Sequence, residues 1–234
     1  PDDTVSLLFR RAGLKSVLAK DAYCYHFGSV TIKEDIEKKA IDKQRGYEKG
    51  REDFKRAFGI DPWGTGFCYD PVLFQSFACK LDGPLEILGI NCGMGSNSLK
   101  IKELYKEHKH NLDVYLTNIV SDERVLRDAL GVSDAAVLGH SPRDIPAIVK
   151  EKRFHYIVLE DPWEGKTHSI GDIDFLAEYL LDDGELYVKS KAQIISKKLK
   201  KPERMGNWLM FANGESEGFV EAHKGIHNHP RGHR

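Results

Sequence analysis

The chain has 234 residues, enough to bury one full hydrophobic core with an appendage, or two smaller cores. Hydrophobic residues make up 41% and charged residues 30%, and a net charge of −1 gives no indication of nucleic acid or an anionic membrane as a partner. No apolar run approaches the roughly 18 residues that a membrane span needs. These totals favour a globular protein without a membrane span.

The N-terminal part of the chain predicts an appendage that is connected to the main domain by a helix and a loop. DDTVSLLFRRAG predicts a helix, because an acidic residue can cap it and a glycine ends it. KSVLAKDAYCYHFGS predicts one or two short strands. The charge-dense segment from about Glu34 to Phe58 carries an intermittent apolar stripe and predicts one solvated connecting helix. IDPWGTGFCYDP, rich in Gly, Pro and aromatic residues, predicts a packed loop and a domain boundary.

From Leu85 onward the pattern changes to alternating strands and helices. The apolar runs LEILGI, LDVYLTNI, DAAVLGH, FHYIVLE and GELYVKS predict five strands, with helix-length segments such as GDIDFLAEYLLDDG between them. Such alternation predicts an α/β fold with a parallel sheet and helices on both faces. After Lys191 a basic helical stretch is expected. NWLMFANGESEGFVEAHKG then predicts an antiparallel hairpin at the sheet edge.

The cysteines and histidines indicate no metal site and no disulfide scaffold. The spacing of Cys24, Cys68, Cys79 and Cys92 matches no zinc pattern, so reduced thiols in the cytoplasm are expected. His223 lies just before the polar C-terminal tail and His227, His229 and His233 lie within it, and we expect adventitious rather than native metal binding there.

The turn between the first strand and the next helix carries a partial nucleotide-binding pattern. A strand that leads into Asn91-Cys92-Gly93-Met94-Gly95 and then a helix places free backbone N–H groups at a cleft. Gly93 and Gly95 have no Cβ, so a ligand could approach the backbone closely. Ser98 stands where the dinucleotide fingerprint has its third glycine, and a partial fingerprint is weak support for NAD.

The segment LEILGINCGMGSNSLKIKELY resembles the first motif of class I S-adenosylmethionine-dependent methyltransferases, and the similarity extends through Gly225. FHYIVLEDPWE resembles the segment after that family's fourth strand, and YLLDDGELYVKS resembles its fifth. The resemblance implies a Rossmann-like sheet of parallel strands that ends in a C-terminal antiparallel hairpin, with a helical and strand appendage before it. It also implies S-adenosylmethionine as the cofactor.

By this resemblance the cofactor would contact five residues, Asn91, Gly93, Gly95, Asn118 and His140. The family typically has acids at three positions that are here Gly89, Asn118 and His140. An amide offers a ribose one neutral acceptor where a carboxylate offers charge-assisted bonds. The exchange at Asn118 would therefore cost about 1–2 kcal/mol of binding, near tenfold in affinity.

Glu160 and Asp161 follow the fourth strand, beside the expected cleft. Methyl transfer to a sugar hydroxyl needs a general base, and either carboxylate could serve as the catalytic residue. The alternative is that the two acids only cap the next segment or hold a loop. From the sequence the two interpretations are about equally supported.

The first 33 residues resemble the end of a family 2 glycosyltransferase catalytic domain. In that family an acidic motif at a helix start carries the catalytic base, which Asp2, or Asp3, matches here, and His26-Phe27-Gly28 matches its His-x-Gly. The nucleotide-binding half would lie upstream, so this remnant is expected to be inactive alone. The resemblance implies an upstream glycosyltransferase domain and a glycan or sugar acceptor as partners. A cytoplasmic location is expected, with attachment to the inner face of the membrane left open.

We therefore expect four parts: a glycosyltransferase remnant (1–33), a connecting helix and loop (34–70), a methyltransferase-like domain (71–225) and a polar tail (226–234). Two functions remain open. The first is an S-adenosylmethionine-dependent methyltransferase domain of a transferase in polysaccharide synthesis, acting on a glycan. The second is a non-catalytic module of the same fold that docks or positions the glycosyltransferase.

Overall fold

The computed structural model describes residues 2–14, 21, 36–63, 68–162 and 167–214. Its helices are α1 (Asp2–Arg11), α2 (Ile36–Phe58), α3 (Pro71–Phe74), α4 (Ser96–Lys109), α5 (Glu123–Leu130), α6 (Ile145–Val149) and α7 (Ile170–Ala177). Its strands are β1 (Leu85–Ile90), β2 (Val114–Val120), β3 (Ala135–Leu138), β4 (Phe154–Leu159), β5 (Leu180–Lys189), β6 (Glu203–Met205) and β7 (Trp208–Ala212). Among the described helices, none has the length and apolar character to cross a membrane.

The seven strands form one sheet in the order β3-β2-β1-β4-β5-β7-β6. The first five strands in sequence pair in parallel. Strand β7 runs antiparallel to β5, and β6 runs antiparallel to β7. The predicted Rossmann-like α/β fold, with parallel strands and a C-terminal antiparallel hairpin, is confirmed. The strand order reverses between β1 and β4, which therefore form the switch point of the sheet.

Helices cover both faces of the sheet because side chains alternate between the faces along each strand. On one face α6 and α7 pack on a cluster that includes Leu88, Ile90, Ile157, Leu159 and Val188. On the other face α3 and α4 pack on a cluster that includes Ile87, Leu116, Tyr156, Tyr187 and Trp208. Burial on both faces explains why the central strands are almost continuous apolar runs in the sequence.

The C-terminal part differs from the sequence prediction at two places. Strand β5 begins at Leu180, inside the segment predicted as helix, because α7 already ends at Ala177. The stretch after Lys191, predicted to be helical, is not a helix. Ile194 and Leu199 are buried in the core cluster there, and Ser196 accepts hydrogen bonds from two following backbone N–H groups.

The hairpin also lies one strand earlier than predicted. Its turn is at Gly206, whose φ of 58° lies in the left-handed region that glycine adopts easily. NWLMFA forms the second strand of the hairpin rather than the first. The other predicted strand, EGFVEA, lies outside the described residues, as does the tail from 226 to 234.

The N-terminal appendage packs on the sheet domain through a small third core. The connecting helix is one continuous element, α2, as predicted, and its residues 44–50 are exposed. Leu7 of α1 packs with Phe54 and Ile60, and this cluster includes Met94 of the glycine-containing turn. Asp2 lies at the start of α1, whereas His26 and Gly28 lie outside the described residues. The proposed domain division stays a prediction.

Candidate functional site

The candidate site lies where the carboxyl ends of β1 and β4 meet. Ile90 pairs with Leu159 at the ends of these strands, so Asn91 and Glu160 follow side by side. The Glu160 N–H donates to the Ile90 carbonyl at 3.1 Å. In parallel sheets the crevice that receives ligands opens at this switch point, outside the carboxyl ends of the strands.

The turn from Asn91 to Gly95 contains three residues with positive φ: Asn91 (50°), Gly93 (56°) and Gly95 (80°). Asparagine tolerates this region better than most side chains, so Asn91 can replace the first glycine of the motif without much strain. The Asn91 Nδ2 group donates to the Asp161 carbonyl at 3.1 Å and ties the turn to the end of β4. Gly95 is the N-cap residue just before α4, and no side chain caps that end of the helix.

Asn118, predicted to face a ribose, instead lies inside the turn and is fully buried. Its Oδ1 atom accepts hydrogen bonds from the Ser98 hydroxyl at 2.8 Å and the Cys92 thiol at 3.2 Å. Burial raises the pKa of that thiol, so Cys92 is a neutral donor. A Cβ at Gly89 would lie 2.1 Å from Asn118 Oδ1, and one at Gly95 would lie 2.2 Å from Asn118 Nδ2.

The two glycines are therefore required by the buried Asn118 side chain. In this arrangement the Asn118 oxygen is already occupied by two donors. A ribose hydroxyl would reach it only after the side chain turned outward. This geometry accounts for Gly89 and Gly95 without any ligand.

His140 is exposed just after β3, at the same edge of the sheet. Its backbone N–H and that of Ser141 donate to Asp144 Oδ2, at 2.8 and 3.0 Å. These two bonds lower the pKa of the Asp144 carboxyl. The turn is thereby held, while the His140 ring stays accessible to a ligand at the end of β3.

The two predicted catalytic acids differ sharply in environment. Glu160 is 2% exposed, whereas Asp161 is exposed. Burial raises the pKa of Glu160 to about 7; a hydrogen bond with the Asn97 side chain and the charge of Lys189 oppose this, and the Asp161 and Asp70 charges add to it. A carboxyl group with such a pKa can take up and release a proton near neutral pH.

Four further residues surround Glu160 that the sequence interpretation missed: Asp70, Asn97, His168 and Lys189. Asn97 Oδ1 accepts from the Asp70 backbone N–H at 2.7 Å. His168 Nε2 lies 3.0 Å from the Glu160 carbonyl oxygen, which can only accept, so Nε2 is the donor. The Asp-Pro pair at 70–71 was a recognisable helix cap, but nothing in the sequence pointed to His168 or Lys189.

Unpartnered polar atoms concentrate at this site. Among the described side chains, the buried N and O atoms without a hydrogen-bond partner are Asn91 Oδ1, Asn118 Nδ2, Glu160 Oε1 and His168 Nδ1. Buried polar groups are nearly always paired in native proteins, because an unmade hydrogen bond costs free energy. A bound polar ligand would satisfy such atoms. Within the described part of the chain, no group of three or more His, Cys, Asp or Glu residues is arranged to hold a metal ion.

The chain is similar to solved methyltransferase structures. It is 14% identical to a TehB-like SAM-dependent methyltransferase from Corynebacterium glutamicum, covering 74% of this chain and 99% of that one at a TM-score of 0.41. It is 23% identical to the plantazolicin methyltransferase BamL in a complex with SAH, covering 46% of this chain but only 38% of that one at a TM-score of 0.36. These sequence identities and TM-scores are low, so the assignment of the fold rests on the order of the strands in the sheet. No family model matches the sequence, and no curated protein matches it.

Proposed function

We propose that this domain binds S-adenosylmethionine and transfers its methyl group to a hydroxyl group of an acceptor. The observation that carries the proposal is a buried Glu160, with a pKa near 7 and an unpartnered Oε1 atom, at the switch point of the sheet. The turn at Asn91, Gly93 and Gly95 would hold the cofactor, with His140 toward the adenine. When bound, S-adenosylmethionine supplies a methyl group attached to a positively charged sulfur.

The protein's own part in this reaction is to move one proton. The methyl carbon would pass from sulfur to the acceptor oxygen and leave S-adenosylhomocysteine, and Glu160 would take the proton released when the acceptor O–H bond breaks. Burial favours this role, because it keeps the carboxylate basic at neutral pH. The exposed Asp161 lies beside Glu160 in sequence, and its negative charge favours proton uptake by Glu160.

The acceptor and the cellular setting are further parts of the proposal. The likeness of residues 1–33 to a glycosyltransferase supports a glycan or sugar acceptor, an upstream glycosyltransferase domain, and a role in polysaccharide synthesis. The same likeness supports a cytoplasmic location, free or at the inner face of the membrane. Asp2 would belong to that upstream active site and would be inactive in this chain alone.

The inward position of Asn118 favours a second candidate, a non-catalytic module of the same fold. Asn118 is held by Ser98 and Cys92, and it fills the space beneath Gly89 and Gly95. A turn whose glycines serve internal packing would persist without a cofactor. Such a module would position the glycosyltransferase through its surface.

Two measurements separate these candidates. We expect calorimetric titration with S-adenosylhomocysteine to show binding to the wild type, to Glu160→Gln, and to the exposed control Glu203→Gln. Radiolabelled methyl transfer to a panel of polysaccharides should occur in the wild type and the control, rise as the pH passes about 7, and be lost in Glu160→Gln. No binding at millimolar ligand would support the second candidate, and transfer that survives in Glu160→Gln would remove the assigned role of Glu160.

A further inference from the structure

His168 is a buried titratable group that the proposed proton transfer does not use. It is 9% exposed and directly precedes α7, whose first turn is fixed by a capping box between Ser169 and Asp172. The Ser169 backbone N–H donates to Asp172 Oδ2 at 2.9 Å, and the Asp172 backbone N–H donates to Ser169 Oγ at 3.1 Å. The chain that follows His168 is therefore held in place.

The His168 ring is also held by the end of β4. Its Nε2 atom lies 3.0 Å from the Glu160 carbonyl oxygen and donates to it, because that oxygen can only accept. The next carbonyl is tied to the glycine-containing turn, since Asn91 Nδ2 donates to the Asp161 carbonyl at 3.1 Å. His168 is thereby connected, through Glu160 and Asp161, to the end of β1.

Two buried atoms of this connected group are acceptors without a donor. With its proton on Nε2, a neutral His168 ring has a free lone pair on Nδ1, and an ionised Glu160 can only accept. His168 Nδ1 and Glu160 Oε1 are both buried and have no hydrogen-bond partner. Buried acceptors are nearly always paired in native proteins, so a ligand that satisfies both atoms must supply donors. A hydroxyl group has a single O–H donor, so such a ligand needs two hydroxyl groups.

We propose that His168 is a binding residue for the acceptor, and that the acceptor carries two neighbouring hydroxyl groups, as a sugar ring does. One hydroxyl group donates to Glu160 Oε1 and is methylated, and the second donates to His168 Nδ1. The second hydroxyl group takes no part in proton transfer, so its bond contributes to the affinity and orientation of the acceptor. The proposal rests on the proposed function for the methylated hydroxyl, and it names a diol as the substrate class.

Two substitutions separate the roles of the two ring nitrogens. In His168→Gln the longer amide still donates to the Glu160 carbonyl, but no acceptor replaces Nδ1. In His168→Asn an amide oxygen takes the place of Nδ1, but the side chain is too short to reach the Glu160 carbonyl. We therefore expect His168→Gln to keep the stability of the wild type and lose acceptor binding, and His168→Asn to lose stability and keep part of that binding. A role in packing alone predicts the reverse order.

Kinetics of radiolabelled methyl transfer give the first measurement, with methyl hexopyranosides and their monodeoxy forms as acceptors. In His168→Gln we expect KM for the methyl hexopyranosides to rise about tenfold with kcat unchanged, as for one lost hydrogen bond. The monodeoxy form that lacks the second hydroxyl group should show the same rise in the wild type, and His168→Gln should add nothing to it. The control His108→Gln, on the exposed last turn of α4, should match the wild type. Effects of variant and deoxy sugar that add together would refute the proposed contact.

A ¹⁵N NMR titration of the histidine rings in the whole chain gives the second measurement, which does not depend on turnover. At pH 8, where a histidine ring in water is neutral, His168→Gln identifies the His168 signals. We expect Nδ1 to be unprotonated in the free protein, and its signal to move when a methyl hexopyranoside is added to the complex with S-adenosylhomocysteine.

Three results of the titration would overturn the role of His168: a protonated Nδ1 in the free protein, an Nδ1 signal that S-adenosylhomocysteine alone moves, or one that no methyl hexopyranoside moves. A sugar-dependent shift without any methyl transfer would contradict the proposed function alone. Methyl transfer without such a shift would contradict the role of His168 alone.

Discussion

At the residue scale, the burial of Glu160 makes a prediction about stability and pH. A folded-state pKa raised from the ordinary 4.5 to about 7 means that the neutral form is favoured in the folded chain. The associated stability is fully present below the unfolded-state pKa and is lost as the pH rises through about 7. The rise in pKa corresponds to about 3 kcal/mol when Glu160 is fully ionised.

We therefore expect Glu160→Gln to unfold at higher urea concentration than the wild type at pH 8, and the difference to shrink toward pH 5. The exposed Glu203→Gln should show neither effect. Equal midpoints for wild type and Glu160→Gln at pH 8 would contradict the assigned environment of Glu160.

Asn118 gives the second prediction. From the sequence, Asn118→Asp would restore a ribose-binding acid and tighten the cofactor about tenfold. In the structure the new carboxylate would be fully buried, and one oxygen would take the place of the unpartnered Nδ2 atom. We expect Asn118→Asp to destabilise the fold by about 3 kcal/mol at neutral pH, because a buried charge without enough donors is costly.

Urea unfolding at two pH values checks the predicted destabilisation of Asn118→Asp. Burial raises the folded-state pKa of the new carboxyl, so the loss of stability should be small at pH 4 and grow as the pH rises through that pKa. Asn207→Asp, on an exposed turn, is the control and should unfold like the wild type. Unchanged stability together with tighter S-adenosylhomocysteine binding would mean that residue 118 turns outward to the ligand.

The contrast between these residues shows what a sequence can and cannot predict about a site. Glu160 and Asn91 were found because strand patterns fix where β1 and β4 end. The orientation of Asn118 could not be found, because it depends on Ser98, Cys92 and the missing Cβ of Gly89, which meet only in the folded chain.

At the element scale, the sequence predicted most of the sheet because its central strands are buried on both faces. Strands β1 to β4 lie where their apolar runs are, within two residues at each end. The sequence predictions are wrong where one face or one end of a strand or helix is polar. Strand β5 enters through Leu180-Leu181-Asp182-Asp183, in which the two acids are exposed, and that mixed pattern resembles a helix end.

The prediction of a helix between β5 and β6 was wrong for a related reason. Its many lysines favour a helix in composition, but the buried residues there are Ile194, Ser196, Leu199 and Pro202, and they do not form a helical stripe. Tertiary burial therefore overrides local propensity. The turn at Gly206 then sets the position of the hairpin, and a Cβ there would lie 2.9 Å from Val72 of α3.

At the scale of the whole molecule, the appendage and the sheet domain share a contact at the glycine-containing turn. Met94 is 3% exposed and packs with Leu7, Phe54 and Ile60. The Arg10 guanidinium lies 3.7 Å from the Met94 sulfur. A structural change at the turn would therefore alter the packing of α1 and α2. The hypothesis that the domain positions a glycosyltransferase needs such a connection between the two parts.

The last prediction concerns the ion pair that fixes α1 to α5. Arg11 donates twice to Asp128, from Nε to Oδ1 at 3.0 Å and from Nη2 to Oδ2 at 2.8 Å. The Asp128 side chain is fully buried, and that of Arg11 is 23% exposed. Arg11→Met would leave a buried carboxylate without its cation, so we expect a loss of about 3 kcal/mol. Asp128→Asn in the same chain should recover part of it.

Differential scanning calorimetry tests how much stability Arg11→Met loses and whether the loss affects both parts of the chain. Because the pair and the Met94 cluster join the appendage to the sheet domain, we expect a single transition whose Tm falls in Arg11→Met. The control Arg56→Met removes an exposed pair with Asp53, and such pairs contribute little to stability, so its Tm should match the wild type. Two separate transitions, with only the lower one moved by Arg11→Met, would mean that the appendage unfolds independently and that the contact at the glycine turn does not couple the two parts.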